Sequence, residues 1–218
     1  MTRLFAPGCA LMLYKPHLAE RLRGLVAERV GPVEYLHACC RHVPPLPPGA
    51  EVVNVCPGCD RRYRQNYEHA TTVSAWEIVA GHASVALPDY GGRPMSVLDA
   101  CPTRDQARVH DAVREVVRRM NVTLVEPKRT RAEGTCCGDS LWGEAPADRV
   151  ADAMRRKAAT MPADEIVVYC VTCAKAMALG GKRPRYLVDL VFGEETAPGV
   201  TDPTEWHRQL DEYIESHI

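Results

Sequence analysis

Four short apolar runs, the second and fourth rich in β-branched residues, punctuate the chain, RLFAPGC at 3–9, EVVNVCPGC at 51–59, MSVLDAC at 95–101 and EIVVYCVTC at 165–173. Each is too short for a helix and ends in cysteine, so each reads as a buried strand running into a loop. Behind the cysteines the pattern changes to a helical period. Pro16 suits a first helical position, with Leu18, Leu22, Leu25 and Val26 on one face. Thr103 and Gln106 predict a capping box ahead of Val109, Val113, Val116, Val117 and Met120. A further helix is expected from Pro146 to Met161. WEIVAG at 76–81 and VDLVFG at 188–193 share an acid, two aliphatics and a closing glycine in register.

Strand, cysteine loop, helix, strand predicts an α/β fold of mostly parallel strands, with the cysteine loops at the strand C-terminal ends. The matching flanks make the chain two tandem pseudo-symmetric repeats. They are expected at 1–90 and 91–200 and meet near LPDYGGRP at 87–94, where proline and paired glycines interrupt the pattern. A tail at 201–218 predicts an amphipathic helix. Asp202 can cap it, Pro203 fits its first turn, and Trp206, Leu210, Tyr213, Ile214 and Ile218 form one stripe. That stripe either packs on the protein's own core or docks on a redox partner or a second copy.

Composition adds boundaries to this picture. With 218 residues, 46% of them hydrophobic, the chain can bury a core without cross-links. A net charge of −1 gives no support to a nucleic-acid or anionic-membrane partner. The first residues, MTRLFAPGCALMLYKP, lack the continuous apolar core of a secretory signal, and no run has the length of a membrane span. A cytoplasmic protein, not integral to a membrane, is expected. In that reducing compartment, closely spaced cysteines point to metal or redox chemistry before disulfides.

The ten cysteines stand at 9, 39, 40, 56, 59, 101, 136, 137, 170 and 173. Read in order they spell single, vicinal pair, C-x-x-C, and then the same again. Bridged cysteines need separated α-carbons, so a cross-link within Cys39–Cys40 or Cys136–Cys137 would be strained. Cys9, Cys56, Cys59, Cys101, Cys170 and Cys173 all fall at the strand ends, where helix N-termini favour thiolates and an anionic centre. Zinc and an ordinary iron–sulfur cube each take four ligands. With five cysteines per repeat, either one is spare or the centre uses a fifth sulfur, for instance as a bridge. Gly138, free to take a positive φ, would let the backbone turn tightly against such a centre.

Cys101, then Cys136-Cys137-Gly138, then Cys170 and Cys173 resemble the cysteine-rich CCG domain of the disulfide-cleaving subunit of heterodisulfide reductase and of related iron–sulfur oxidoreductases, including lactate-utilisation and anaerobic glycerol-3-phosphate dehydrogenase subunits. The resemblance implies a noncubane 4Fe–4S cluster for each intact motif, facing a cleft between pseudo-symmetric halves. Cys101, Cys136, Cys137, Cys170 and Cys173 would hold one cluster, and Cys9, Cys39, Cys40, Cys56 and Cys59 the other. It also implies an oxidoreductase acting on a small disulfide or thiol, the catalytic subunit of a complex fed by a ferredoxin-like or flavoprotein partner. The first copy departs from the pattern. Arg41 and His42 follow its vicinal pair in place of glycine, and only 15 residues separate Cys40 from Cys56, against 32 between Cys137 and Cys170. That departure leaves open whether the first site holds the same cluster, another type or none.

Other features are read more plainly. Arg61, Arg62 and Arg64 with Tyr63 and Tyr67 suit a solvated helix face better than nucleic acid. PPLPPG at 44–49 is a stiff spacer. Lys128, Arg129 and Arg131 form an exposed loop ahead of Cys136. With Arg41 and His42, they are the candidate contacts for an anionic substrate. No G-x-G-x-x-G follows a strand, and no compact C-x-x-C-x-x-C run is present, so electrons must arrive from another polypeptide. Two alternatives stay open: a zinc-stabilised structural or adaptor protein, which leaves six cysteines without a purpose, and a metal-free dithiol oxidoreductase using Cys56/Cys59 or Cys170/Cys173.

Overall fold

A computed structural model describes residues 2–36 and 44–217. Eight strands appear among them: β1 (Arg3–Ala6), β2 (Glu34–Tyr35), β3 (Glu51–Asn54), β4 (Thr71–Ser74), β5 (Arg93–Leu98), β6 (Val122–Leu124), β7 (Glu165–Val168) and β8 (Arg183–Tyr186). They build two four-stranded sheets, ordered β2-β1-β3-β4 and β6-β5-β7-β8, with every pairing parallel. The same strand order twice over is the tandem repeat in three dimensions. Register agrees with it. Ala6 pairs with Asn54 and Leu98 with Val168, and in each pair a cysteine follows three residues after the first strand and two after the second.

Helices cover both sheets, as buried parallel strands require. The first repeat carries α1 (Cys9–Tyr14), α2 (Pro16–Val30), α3 (Pro57–Asn66) and α4 (Ala75–Gly81). The second carries α5 (Ala107–Arg119), α6 (Ala147–Ala159), α7 (Val171–Leu179) and α8 (Leu187–Val191), and α9 (Pro203–Glu215) follows. Pro16 opens α2, whose Leu18, Leu22 and Val26 are buried. In α5 the predicted valines are buried, but Thr103 and Gln106 form no capping box. Thr103 closes a 3-10 turn, Cys101–Thr103, and its hydroxyl donates to the Ala100 carbonyl at 2.8 Å, which leaves Gln106 alone as the cap position of α5. No helix among the described residues is long and apolar enough to cross a membrane.

The repeats exchange equivalent contacts. α4 packs on α5 just as α8 packs on α2, and α3 meets the Cys101 turn just as α7 meets α1. One hydrophobic core runs through both, from Phe5, Leu22 and Trp76 to Val117, Ile166 and Leu190. Matched residues nevertheless do different work. Glu77 caps its own helix in a capping box with Ser74 and also stands 3.5 Å from Arg108 of the second repeat, whereas its counterpart Asp189 is fully buried against the first repeat. Asp189 accepts from Tyr14 at 2.7 Å, Lys15 at 2.7 Å and Thr196 at 2.9 Å.

The tail packs on the core. Asp202 caps α9 by accepting from the Glu205 amide at 2.9 Å, and Trp206 is buried with its indole N–H donating to Thr172 at 3.1 Å. The Lys175 ammonium stands 4.2 Å from the centre of the Trp206 ring and donates to the Pro198 and Val200 carbonyls. His207 stacks on Trp142 with centroids 4.3 Å apart and planes 4° from parallel, and its Nε2 lies 2.8 Å from Asp139. Because α9 also touches α1 and α6, it spans both repeats. Trp206→Ala is expected to cost about 3–5 kcal/mol by the usual toll of emptying a buried aromatic site, read as a lowered urea midpoint with an unchanged slope.

Candidate metal and redox site

The second repeat brings all five of its cysteines to the carboxyl ends of β5 and β7. Cys101 begins the turn after β5, Cys170 is the N-cap of α7, and Cys173 lies in that helix's first turn. Cys136 and Cys137 arrive on the loop between β6 and α6. The sulfurs form a continuous run of neighbours in the order Cys101, Cys136, Cys137, Cys173, Cys170. None of the five is in a disulfide. Among the described residues no three His, Cys, Asp or Glu side chains close around a single point as a one-metal site would. The thiols form an open string.

Negative charge collects at the middle of that string. Neighbouring Cys101 and then Cys137 donate to the Cys136 sulfur, and the Gly138 and Ser140 amides point at it from 3.4 Å each. The Cys136 thiol is held far below its ordinary value, and Cys101, whose proton it shares, is pushed up. Cys137 is raised first by Cys136, and Cys173 first by Cys137, both deep in the interior. One thiolate served by the others is the arrangement expected of a site built to bind a cation-rich group.

Positive charge faces it. Lys157, on α6, is 7% exposed, and its ammonium donates to the Thr135 hydroxyl at 3.1 Å, one residue before Cys136. Burial lowers its pKa, while Cys173 and Cys137 pull it back up.

The three cysteine-bearing loops are fastened together from behind. Asp99, two residues ahead of Cys101, receives both guanidinium nitrogens of buried Arg114 at 3.0 and 2.9 Å, the Arg131 amide at 2.7 Å and the Thr130 hydroxyl at 2.9 Å. Arg114 also holds Glu126 through two bonds of 2.6 and 2.9 Å. Tyr169, the residue before Cys170, accepts from the Ala100 amide at 2.9 Å and lies 2.9 Å from Thr103. Burial pushes the Asp99 carboxyl up, but Arg114 and the Arg131 amide outweigh it and leave the pKa below the ordinary value.

Gly138 has φ 119°, and a Cβ there would lie 2.7 Å from the Met154 amide nitrogen and 2.9 Å from its Cγ. The sequence suggested that this glycine lets the chain turn against a bound centre. The structure gives it another reason, the close approach of the cysteine loop to α6.

In the first repeat Cys9 opens α1, Cys56 is the N-cap of α3 and Cys59 follows in its first turn. Gly8, at φ 81°, brings the Cys9 loop so near that a Cβ would stand 2.8 Å from Cys56 Cβ and 3.3 Å from Cys59 Sγ. Cys39, Cys40, Arg41 and His42 lie outside the described residues. Burial raises the pKa of Tyr186, at the end of β8, and Cys56 of the first repeat and Cys170 of the second raise it further. Of the candidate substrate contacts, Lys128 and Arg129 are exposed, while Arg131 pairs with Asp111 at 2.6 Å.

Asp99 and Tyr169 lie inside the runs 95–101 and 165–173, and Arg114 and Lys157 on the predicted helices, but the sequence singles out none of the four as a site residue. Two of them left a trace there. His110 and Arg114 interrupt the valine stripe of α5, and Lys157 takes an apolar position in the series Val150, Met154, Ala158, Met161. A polar residue on a core-facing stripe is the signal.

A half-buried, open string of thiols backed by a charged network defines a cysteine-rich α/β protein and is consistent with a metal-binding, redox-type one. In agreement with that class, the family model of the cysteine-rich domain, CCG, matches residues 95–178, a span holding all five cysteines of the second repeat. No curated protein and no solved structure matches the chain.

Two outcomes test the frame. Asp99→Asn should cost about 3–5 kcal/mol at neutral pH, the range for breaking a buried ion pair on one side. Since the folded pKa of Asp99 is depressed, its contribution is present above the unfolded value of about 3.9 and fades as pH falls through the folded one. The gap between wild type and variant in urea titrations should therefore narrow in acid. Gly138→Ala should cost about 1–3 kcal/mol from the strained φ and the contact with Met154; a variant as stable as wild type would remove the packing argument.

Proposed function

We propose that the protein is an iron–sulfur oxidoreductase resembling the disulfide-cleaving subunit of heterodisulfide reductase. The second repeat would bind a noncubane 4Fe–4S cluster through Cys101, Cys136, Cys137, Cys170 and Cys173. The observation that carries this reading is the continuous run of five sulfurs. Four-ligand zinc leaves one of them without a role, and a lone dithiol leaves three. The depressed Cys136 thiol, the amides of Gly138 and Ser140, and the N-terminus of α7 suit a thiolate-held anionic centre.

A bound cluster would supply single electrons. Cleaving a small disulfide takes two electrons and two protons and releases two thiols. One electron from each repeat meets that demand if Cys9, Cys39, Cys40, Cys56 and Cys59 hold a second centre. Tyr186 feels both Cys56 and Cys170, so the C-x-x-C turns of the two repeats are near enough to one residue for a substrate to draw on both. Arg41, His42, Lys128 and Arg129 are the groups we assign to an anionic substrate. Electrons would come from a ferredoxin-like or flavoprotein subunit in the cytoplasm.

Protein purified without oxygen should be brown and contain iron and acid-labile sulfide. Cys136→Ser should abolish or convert the paramagnetic signal of the second centre while the circular dichroism stays that of wild type. Reconstituted wild-type protein that takes up zinc alone would overturn the assignment.

A further inference from the structure

We propose that Lys157 is the counter-charge of the cysteine centre in the second repeat and sets its reduction potential. This inference rests on the iron–sulfur reading above.

A buried ammonium without a carboxylate is costly, because burial strips its water and a neutral partner returns little of that energy. The other buried cations of the protein are provided for. Arg114 sits between Asp99 and Glu126, and Lys175 donates to two carbonyls beneath the Trp206 ring. Lys157 has the Thr135 hydroxyl, and no carboxylate among the described residues pairs with it. That hydroxyl belongs to the residue before Cys136, so the ammonium stands beside the cysteine loop, while the carboxylate of Asp99 is taken by Arg114.

The position is fixed by packing. Met154, one turn earlier on the same face of α6, is the residue against which Gly138 is pressed. α6 also packs along α7, whose first turn carries Cys173. The helix thus presents Lys157 to the cysteine loop and to α7 at once. An apolar residue would fit the stripe of α6 without this penalty, and Lys157 has neither the two carbonyls nor the aromatic face that serve Lys175, so thiolates around a metal centre would supply the counter-charge it lacks.

A fixed positive charge favours the more negative, reduced state of the centre. Lys157→Met keeps length and volume and removes the charge, so its centre should be harder to reduce. At the potential where wild type is half reduced, the variant's reduced-to-oxidised ratio is expected to fall about tenfold, equivalent to about 59 mV for one electron. Lys157→Arg, which keeps the charge, should restore most of the shift. The measurement is a redox titration followed by paramagnetic resonance on anaerobically purified protein, with iron and sulfide assayed in each sample. A Lys157→Met protein with full iron and sulfide that titrates at the wild-type midpoint would overturn this inference and leave the cluster assignment standing. Wild-type protein lacking iron and sulfide would overturn both.

Discussion

The buried pair of Asp99 and Arg114 is the interaction on which the second site depends. Its carboxylate stands at the end of β5, its guanidinium reaches out of α5, and the bonds they spread to Glu126, Thr130 and the Arg131 amide fix the loop that leads to Cys136. Tyr169 extends the same cluster to the strand that delivers Cys170. Thiol groups set side by side repel one another once ionised, and the hydrogen bonds among them are weak. A charged brace in the interior, satisfied on every side, supplies the stiffness.

Duplication explains the architecture, and departures from it explain the specialisation. Both sheets use one strand order and one register, so both bring their single cysteine and their C-x-x-C to matching places. The matched acids show how the copies diverged: Glu77 caps its own helix and pairs with exposed Arg108 across the joint, while Asp189, fully buried, binds Tyr14 and Lys15 of the other repeat. On the opposite flank Arg64, from the first repeat, pairs with Asp105 of the second at 2.8 Å. Neither half closes its own surface.

What was legible in the sequence follows from the range of each interaction. Strands ending in cysteine, the helix expected from Pro146 to Met161 and found at Ala147–Ala159, and the capped tail helix are local patterns, read from neighbours a few residues apart. The brace was hidden because Asp99 meets Arg114 and Thr130 across two loops, contacts for which no local period exists. Thr103 misled for the same reason: its hydroxyl fits a capping box by spacing, yet the Ala100 carbonyl and Tyr169 claim it. Lys157 was visible only as a discord in an apolar stripe.

Gly138 bears on how such motifs are compared between chains. Its place after the vicinal cysteines is demanded by the backbone of α6 pressing against it. The first repeat has no helix between Pro44 and Ala50, before β3, and its short connection to Cys56 leaves no room for a counterpart of α6. In the second repeat the third letter of the motif answers to the neighbouring helix, whereas the two sulfurs before it answer to each other and to the cysteines on either side.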